Sequence, residues 1–416
     1  MLADPVAIPE DVGLSSARLA RIEPLFNTFI NNGVIAGAVT LVARNGKIAH
    51  LRAHGQMDAA TGKTMRPNAI FRLASMTKPV VGVAIMQLVE EGKILLNDPV
   101  SEFISAFKNL HVAVPNPAAP GYVSTTLPTG GYHLVPAERE ITVRDLLTHT
   151  SGLGSATTGR SSAEWTGLLQ SLQATNTLAE FVPRMASTSL SFQPGSAWEY
   201  SGIFGFDTLG HIVELVSGIS LDRYFHERIF EPLGMHETTF HVPAARLSDV
   251  VTPYERGASG LQPGTPTGLL SFSTVSDGRY CSGGGGLAGT AEDYARFAMA
   301  LCAGGELEGA RILGRKTIRM MASNHIGNLP WDRPTGDMRG YRFGLSVRVL
   351  EDPAEGRTMC SPGTFGWAGA YGTNSWIDPT EGIIGLMLIQ RMPDMTDQTL
   401  RSLWPRYQNT VYQALD

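Results

Sequence analysis

Ser75 and Lys78 stand three residues apart in Phe71-Arg72-Leu73-Ala74-Ser75-Met76-Thr77-Lys78-Pro79, just before an almost wholly apolar run from Val80 to Val89. A serine hydroxyl is a weak nucleophile at neutral pH and needs a neighbour to take its proton. Side chains three apart on a helix share a face, so the Lys78 amine can reach the Ser75 hydroxyl. Pro79 suits a first turn, where a missing N–H costs nothing, and a helix apolar all round is a buried one. Its start leaves backbone N–H groups free to meet a carbonyl oxygen. The chemistry this spacing allows is acyl transfer through a serine.

Ser-x-x-Lys fixes only two positions, and Ser105-Ala106-Phe107-Lys108 repeats it. That second copy runs into Asn109-Leu110-His111 and a proline-rich stretch with no apolar helix behind it, so it reads as a surface helix end. Two further segments extend the first copy. Trp198-Glu199-Tyr200-Ser201-Gly202 follows the turn Gln193-Pro194-Gly195 and precedes a helical run, and Gly366-Trp367-Ala368-Gly369-Ala370 leads into a late strand. His149, four residues after Asp145, invites a Ser-His-Asp reading; such a pair on one helix more often orients a loop. No Gly-x-Ser-x-Gly elbow occurs, which counts against an α/β-hydrolase. Gly283 to Gly286 precedes a helix start at Thr290 and Asp293. It lacks the P-loop lysine and reads as a place where backbones pass closely. Cys281 beside it reads as a buried thiol.

The elements that must position these residues are visible as patterns. Ala38–Arg44 and Lys47–His54 are strand-like and joined by Asn45-Gly46, a strong hairpin signal. Ser15 to Asn32 reads as one amphipathic helix with Leu19, Ile22, Leu25, Phe26 and Phe29 on a face. Tyr371–Ile377 and Ile383–Gln390 read as strands around a turn with Asp378-Pro379 and Gly382. A last helical stretch, Asp397–Leu415, carries Pro405 as a kink or break. Between these ends the chain looks mainly helical, at Ser75–Glu91, Val143–Leu147, Ala179–Met185, Ile203–Val216 and Leu221–Ile229. The expected fold is α/β (α+β): an antiparallel sheet flanked by helices and built from both chain ends, with a mainly helical domain inserted. Residues 1–70 and 280–416 would form the discontinuous sheet domain and 71–279 the helical one. Residues 112–136, an irregular excursion or small hairpin, and the loop-rich 251–280 are long enough to be functional loops.

Composition narrows the class. The 416 residues, 43% hydrophobic and 17% charged with net charge -5, describe an ordinary globular chain of about two domains at ~150 residues each. That charge gives no reason to expect nucleic acid or an anionic membrane as a partner. No apolar run approaches the ~20 residues of a membrane helix. Met1-Leu2-Ala3-Asp4-Pro5 lacks the start of a secretory signal, so a cytoplasmic location is expected. Cys281, Cys302 and Cys360 are an odd set without metal spacing and read as reduced thiols. No metal and no organic cofactor is implied.

The three boxes, in this order, resemble the serine β-lactamase and penicillin-binding-protein superfamily on its class C side. Closest in look are the family VIII carboxylesterases and related acyltransferases. The resemblance runs from about Gly37 to Gln390 and includes Leu88-Val89-Glu90-Glu91-Gly92-Lys93, Asp98-Pro99-Val100 and Ile141 to Leu153. Phe230-Glu231-Pro232-Leu233-Gly234-Met235 and Gly283-Gly284-Gly285-Gly286-Leu287 also belong to it. It implies a β-lactamase/transpeptidase-like fold and a two-step acyl transfer. Ser75 would attack the carbonyl carbon, Lys78 would hold the site positive and help remove the proton, and Tyr200 would act as general base and then acid. Backbone N–H groups of Ser75 and Ala370 would hold the oxyanion, and water would release the acyl group. A phenol of reference pKa ~10 can serve as base only where an ammonium favours its anion. Two departures bear on substrate. Tyr200-Ser201-Gly202 stands where lactamases carry Tyr-x-Asn, and Trp367-Ala368-Gly369 where they carry Lys-Thr-Gly. An indole and a methyl in place of the missing lysine and threonine favour an uncharged ester, with Trp367, Ala368 and Gly369 as substrate contacts. The reading preferred is a serine carboxylesterase for short- to medium-chain acyl esters. An acyltransferase to an alcohol or amine, an amide, β-lactam or D-amino peptide hydrolase, and a non-catalytic binding member of the fold are the alternatives.

Overall fold

Asn45 and Gly46 both take positive φ, 51° and 75°, and this tight turn folds strand β1 (Gly37–Arg44) back on β2 (Lys47–Asp58). The computed structural model describes residues 6–115, 132–154, 162–258, 260–266, 278–329, 338–392 and 397–416. Beyond β2 lies the short β3 (Lys63–Thr64). The remaining strands come from the other end of the chain: β4 (Tyr341–Phe343), β5 (Arg348–Leu350), β6 (Phe365–Gly366), β7 (Asn374–Asp378) and β8 (Ile383–Leu388). They form one antiparallel sheet in the order β4-β5-β6-β7-β8-β1-β2-β3, closed where β8 pairs β1 with Val39 opposite Leu388.

Successive residues of a strand face opposite sides, and β1 is buried on both. Val39, Leu41 and Ala43 join the large core that also holds the helix Ala291–Cys302, whereas Ala38 and Val42 join a second core against the terminal helices. The helices that matter here are α1 (Ile22–Asn31), α2 (Thr77–Glu90), α3 (Val143–Leu147), α4 (Phe204–Ser217), α5 (Ala291–Cys302) and α6 (Gln398–Tyr412). Every residue of α2 from Thr77 to Leu88 is buried, as its composition requires.

Three element boundaries differ from expectation. Ser15 to Asn32 is two helices, a short turn Ser16–Leu19 and then α1. Pro24 has no N–H for the Ala20 carbonyl, so the helix restarts with the proline in its first turn. The strand expected from Tyr371 begins at Asn374, because Gly372 N–H donates to Gly369 C=O at 3.0 Å and closes a turn there. Pro405 does not break α6: it lies on the exposed face, where water can serve the carbonyl it leaves unpaired, while Leu403 and Tyr407 are fully buried. Residues 111–115 and 132–136 pair as a small hairpin and 254–257 with 260–263 as another. The expected functional loops at 112–136 and 251–280 otherwise lie partly outside the described residues, at 116–131, 259 and 267–277. Residues 1–5, on which the absence of a secretory signal was read, lie outside them too. No described helix is long and apolar enough to cross a membrane. The three cysteines are free thiols.

Candidate active site

Ala74, fully buried, adopts φ 48°, a left-handed conformation that costs an L-residue about 1–3 kcal/mol. The surrounding chain holds it there. Thr77 Oγ1 donates to Ala74 C=O at 2.7 Å, Leu73 N–H donates to Leu287 C=O at 2.9 Å, and Tyr294 OH donates to Met76 C=O at 3.0 Å. The resulting one-turn 3-10 helix Ala74–Met76 leads into α2 and leaves Ser75 partly exposed on a buried frame.

Ser75 Oγ receives two hydrogen bonds. Lys78 Nζ donates to it at 3.1 Å and the Tyr200 hydroxyl at 2.6 Å. Lys78 is wholly buried, donates also to Gly284 C=O at 2.6 Å, and lies 4.9 Å from the centre of the Tyr200 ring and 5.4 Å from that of Phe206. The three groups from distant stretches of sequence therefore meet at one partly open point. The second Ser-x-x-Lys is different: Ser105 and Lys108 are both exposed at the end of a 3-10 turn.

Tyr200 is set by its neighbours in both sequence and space. Glu199 N–H donates to His149 C=O at 3.1 Å, and Ser201 N–H donates to His149 Nδ1 at 3.4 Å. The His149 ring lies 4.7 Å from the Tyr200 ring. His149 is 1% exposed with φ 59°. Asp145, its imagined triad partner, instead caps α3 through Thr142 and pairs with Arg139 and Thr150. The pair thus shapes a turn, and His149 backs Tyr200.

The segment 367–370 runs alongside Leu73, two residues before the serine. Gly369 N–H donates to Thr373 C=O, and Thr373 Oγ1 donates to Leu73 C=O at 3.1 Å. A Cβ on Gly369 would lie 2.3 Å from that Leu73 oxygen, so only glycine lets this segment approach residues 73–75. Ala368, Gly369 and Ala370 are partly exposed; Trp367 is 2% exposed. Its ring centre lies 5.6 Å from Tyr200 and 5.1 Å, edge-on, from Phe343. Trp367 therefore belongs mainly to the apolar cluster with Trp198, Ile326 and Phe343 that supports Tyr200.

Two features escaped sequence reasoning. The Gly284 carbonyl holds Lys78, and Asp207, wholly buried on α4, accepts from Gly284 N–H at 2.8 Å, Ser282 Oγ at 2.7 Å and Tyr280 OH at 2.7 Å. A lone carboxylate in the apolar run Phe204 to Leu209 was the available signal. The glycine run does let backbones pass closely, since a Cβ at Gly284 would lie 2.6 Å from Ile203 Cα. Burial pushes the Cys281 thiol well above its usual pKa, which leaves it a poor nucleophile.

A sequence profile described as Beta-lactamase matches residues 22–405. The chain belongs to the β-lactamase family. Protein Rv1367c of Mycobacterium tuberculosis is 34% identical over 411 residues, covering 92% of this chain and 96% of that one. Esterase EstB of Burkholderia gladioli is 31% identical over 403 residues, covering 92% and 93%. Among solved structures, EstCE1, described as a hydrolase with promiscuous acyltransferase activity, superposes with TM-score 0.75 at 25% identity over 95% of this chain and 99% of its own. The chain thus has a β-lactamase-type hydrolase fold, with esterase and acyltransferase relatives.

Proposed function

We propose that the protein is a serine carboxylesterase that cleaves short- to medium-chain acyl esters through an acyl-enzyme on Ser75. The observation that carries this reading is the convergence of Lys78 Nζ and Tyr200 OH on one partly exposed Ser75 Oγ, at 3.1 and 2.6 Å. In the reaction the Lys78 charge, 4.9 Å from the ring centre, favours the Tyr200 phenolate. Phenolate or amine then takes the Ser75 proton as Oγ bonds the ester carbon. The oxyanion is received by the N–H groups of Ser75 and Ala370, a type of donor worth roughly 10²–10³ in rate. Collapse expels the alkoxide, which takes that proton from the group that received it, directly or through the Tyr200 hydroxyl, and leaves as the alcohol. Water repeats the sequence on the acyl-enzyme and frees the acid.

An uncharged substrate is favoured because position 367 offers no ammonium to hold a penicillin carboxylate, its indole being packed behind Tyr200. EstB, an esterase by name, supports the ester reading over the lactam one. EstCE1 supports a second outcome of the same intermediate, capture of the acyl group by an alcohol in place of water. The test is turnover of p-nitrophenyl butyrate together with fluorophosphonate labelling located by mass spectrometry. The expected result is hydrolysis and a single adduct on Ser75, both absent in Ser75→Ala. An inert, unlabelled protein would refute the reading. Added alcohols that yield ester product would assign the transferase outcome.

A further inference from the structure

Asp207 is a carboxylate wholly removed from water, a placement that is costly unless its oxygens are hydrogen-bonded and its charge is answered. Both conditions are met. Oδ2 accepts from Tyr280 OH, and Oδ1 accepts from Ser282 Oγ and from Gly284 N–H. Gly284 then presents its C=O to Lys78 Nζ at 2.6 Å. One residue therefore links the buried anion on α4 to the buried cation on α2: its N–H faces Asp207 and its C=O faces Lys78. The link is stiff, because the turn is pressed against the start of α4 at Ile203.

We propose that Asp207 is a positioning residue for Lys78: through Ser282 and Gly284 it fixes the carbonyl that holds Nζ beside Ser75, and its charge raises the proton affinity of the Lys78–Tyr200 pair. The activity arm of this proposal rests on the esterase reading; the lysine arm does not. The titratable groups that face Asp207 from the elements packed against it are Lys78 on α2 and Tyr280 and Cys281 before the glycine run. Farther along α4 itself, His211 and Glu214 pair with each other at 3.1 Å. Burial pushes the Asp207 carboxyl up to about 6, against the pull of its hydrogen bonds and of Lys78. At pH 7 and above it is the anion.

Asp207→Asn separates charge from shape. Its Oδ1 can still accept from Ser282 and Gly284, while Nδ2 donates to the Tyr280 oxygen. The chain has six lysines, so the Lys78 signal in protein carrying [ε-13C]lysine is assignable by its loss in Lys78→Ala. The expected result is a titration midpoint for Lys78 lower by about one unit in Asp207→Asn. In the same variant the acid limb of the kcat/KM profile moves to lower pH by a similar step, since removing a nearby anion eases deprotonation of amine and phenol alike. Asp207→Ala, which also frees the turn, should lose kcat by about 10²-fold while KM stays within about threefold. An Asp207→Asn protein of unchanged melting temperature, with Lys78 midpoint and acid limb both at the wild-type pH, would overturn the proposal. Failure of the esterase reading shows separately, as an unlabelled wild-type Ser75, and leaves the lysine titration to decide the role of Asp207.

Discussion

The Ser75 oxygen is poor at the task assigned to it until something takes its proton, and the Tyr200 hydroxyl at 2.6 Å is the nearer of its two partners. Tyr200→Phe removes one oxygen and keeps the ring that packs on His149 and Trp367. General acid–base work is worth about 10²–10⁴ in rate, so kcat should fall by that factor with KM nearly unchanged. Steady-state kinetics on p-nitrophenyl butyrate decides it, and near-normal kcat would reduce Tyr200 to a packing role. At this scale the sequence was legible where residues come in an ordered set: Ser75, Lys78 and Tyr200 do converge. It was opaque where a role depends on what lies across the cavity. Nothing local to Trp367 says that Phe343 and Trp198 will cover its indole, and nothing local to Asp207 says that its carboxylate will meet a glycine 77 residues later.

Elements set the angles at which those residues meet, and the turn after α3 is the clearest case. His149 accepts at both its carbonyl and its ring from the residues on either side of Tyr200, and does so at φ 59°. Asparagine tolerates that conformation better than most residues and offers a side-chain acceptor. His149→Asn should therefore keep several-fold more kcat than His149→Ala, with both variants binding substrate normally. Equal losses in the two would deny His149 a part in orienting Tyr200. The strand side has its own control. Gly369→Ala puts a methyl 2.3 Å from the Leu73 oxygen, an overpacking that costs about 1–3 kcal/mol and pushes the 367–370 segment away from Leu73. It should lower the melting temperature, and kcat too if the proposed oxyanion donor at Ala370 depends on this packing. Turn chemistry made the β1–β2 hairpin readable, and uninterrupted apolar sequence made α2 readable. The late start of β7 was not, because one backbone hydrogen bond decides it and a side-chain pattern does not report it; the break before α1 was written in Pro24, which the apolar periodicity across it masked.

At the scale of the whole molecule, the sheet holds the two ends of the chain together and carries polar groups inside it. Thr40 on β1, wholly buried, bonds through Oγ1 to His54 Nε2 on β2 and to His50 Nε2, each at 2.9 Å. The Phe26 ring of α1 stacks on His54 at 4.9 Å. Burial first, and the Arg52 charge second, push the His54 pKa down to about 4. An unfolded chain binds this proton near ~6.5, so between those values the unfolded state is the better proton acceptor. The stability His54 supplies is complete above pH 6.5 and is lost as pH falls toward 4. Asp207 and Asp293, both raised to about 6, act in the opposite sense over much of this window, so the comparison must be between variants and not against a flat line. His54→Gln keeps a partner for Thr40 and cannot titrate. Its melting temperature should fall less than that of the wild type between pH 7 and pH 4.5, measured by circular dichroism in matched ionic strength. Parallel slopes would mean that the charge-free histidine in the sheet contributes nothing to the acid limit of the fold.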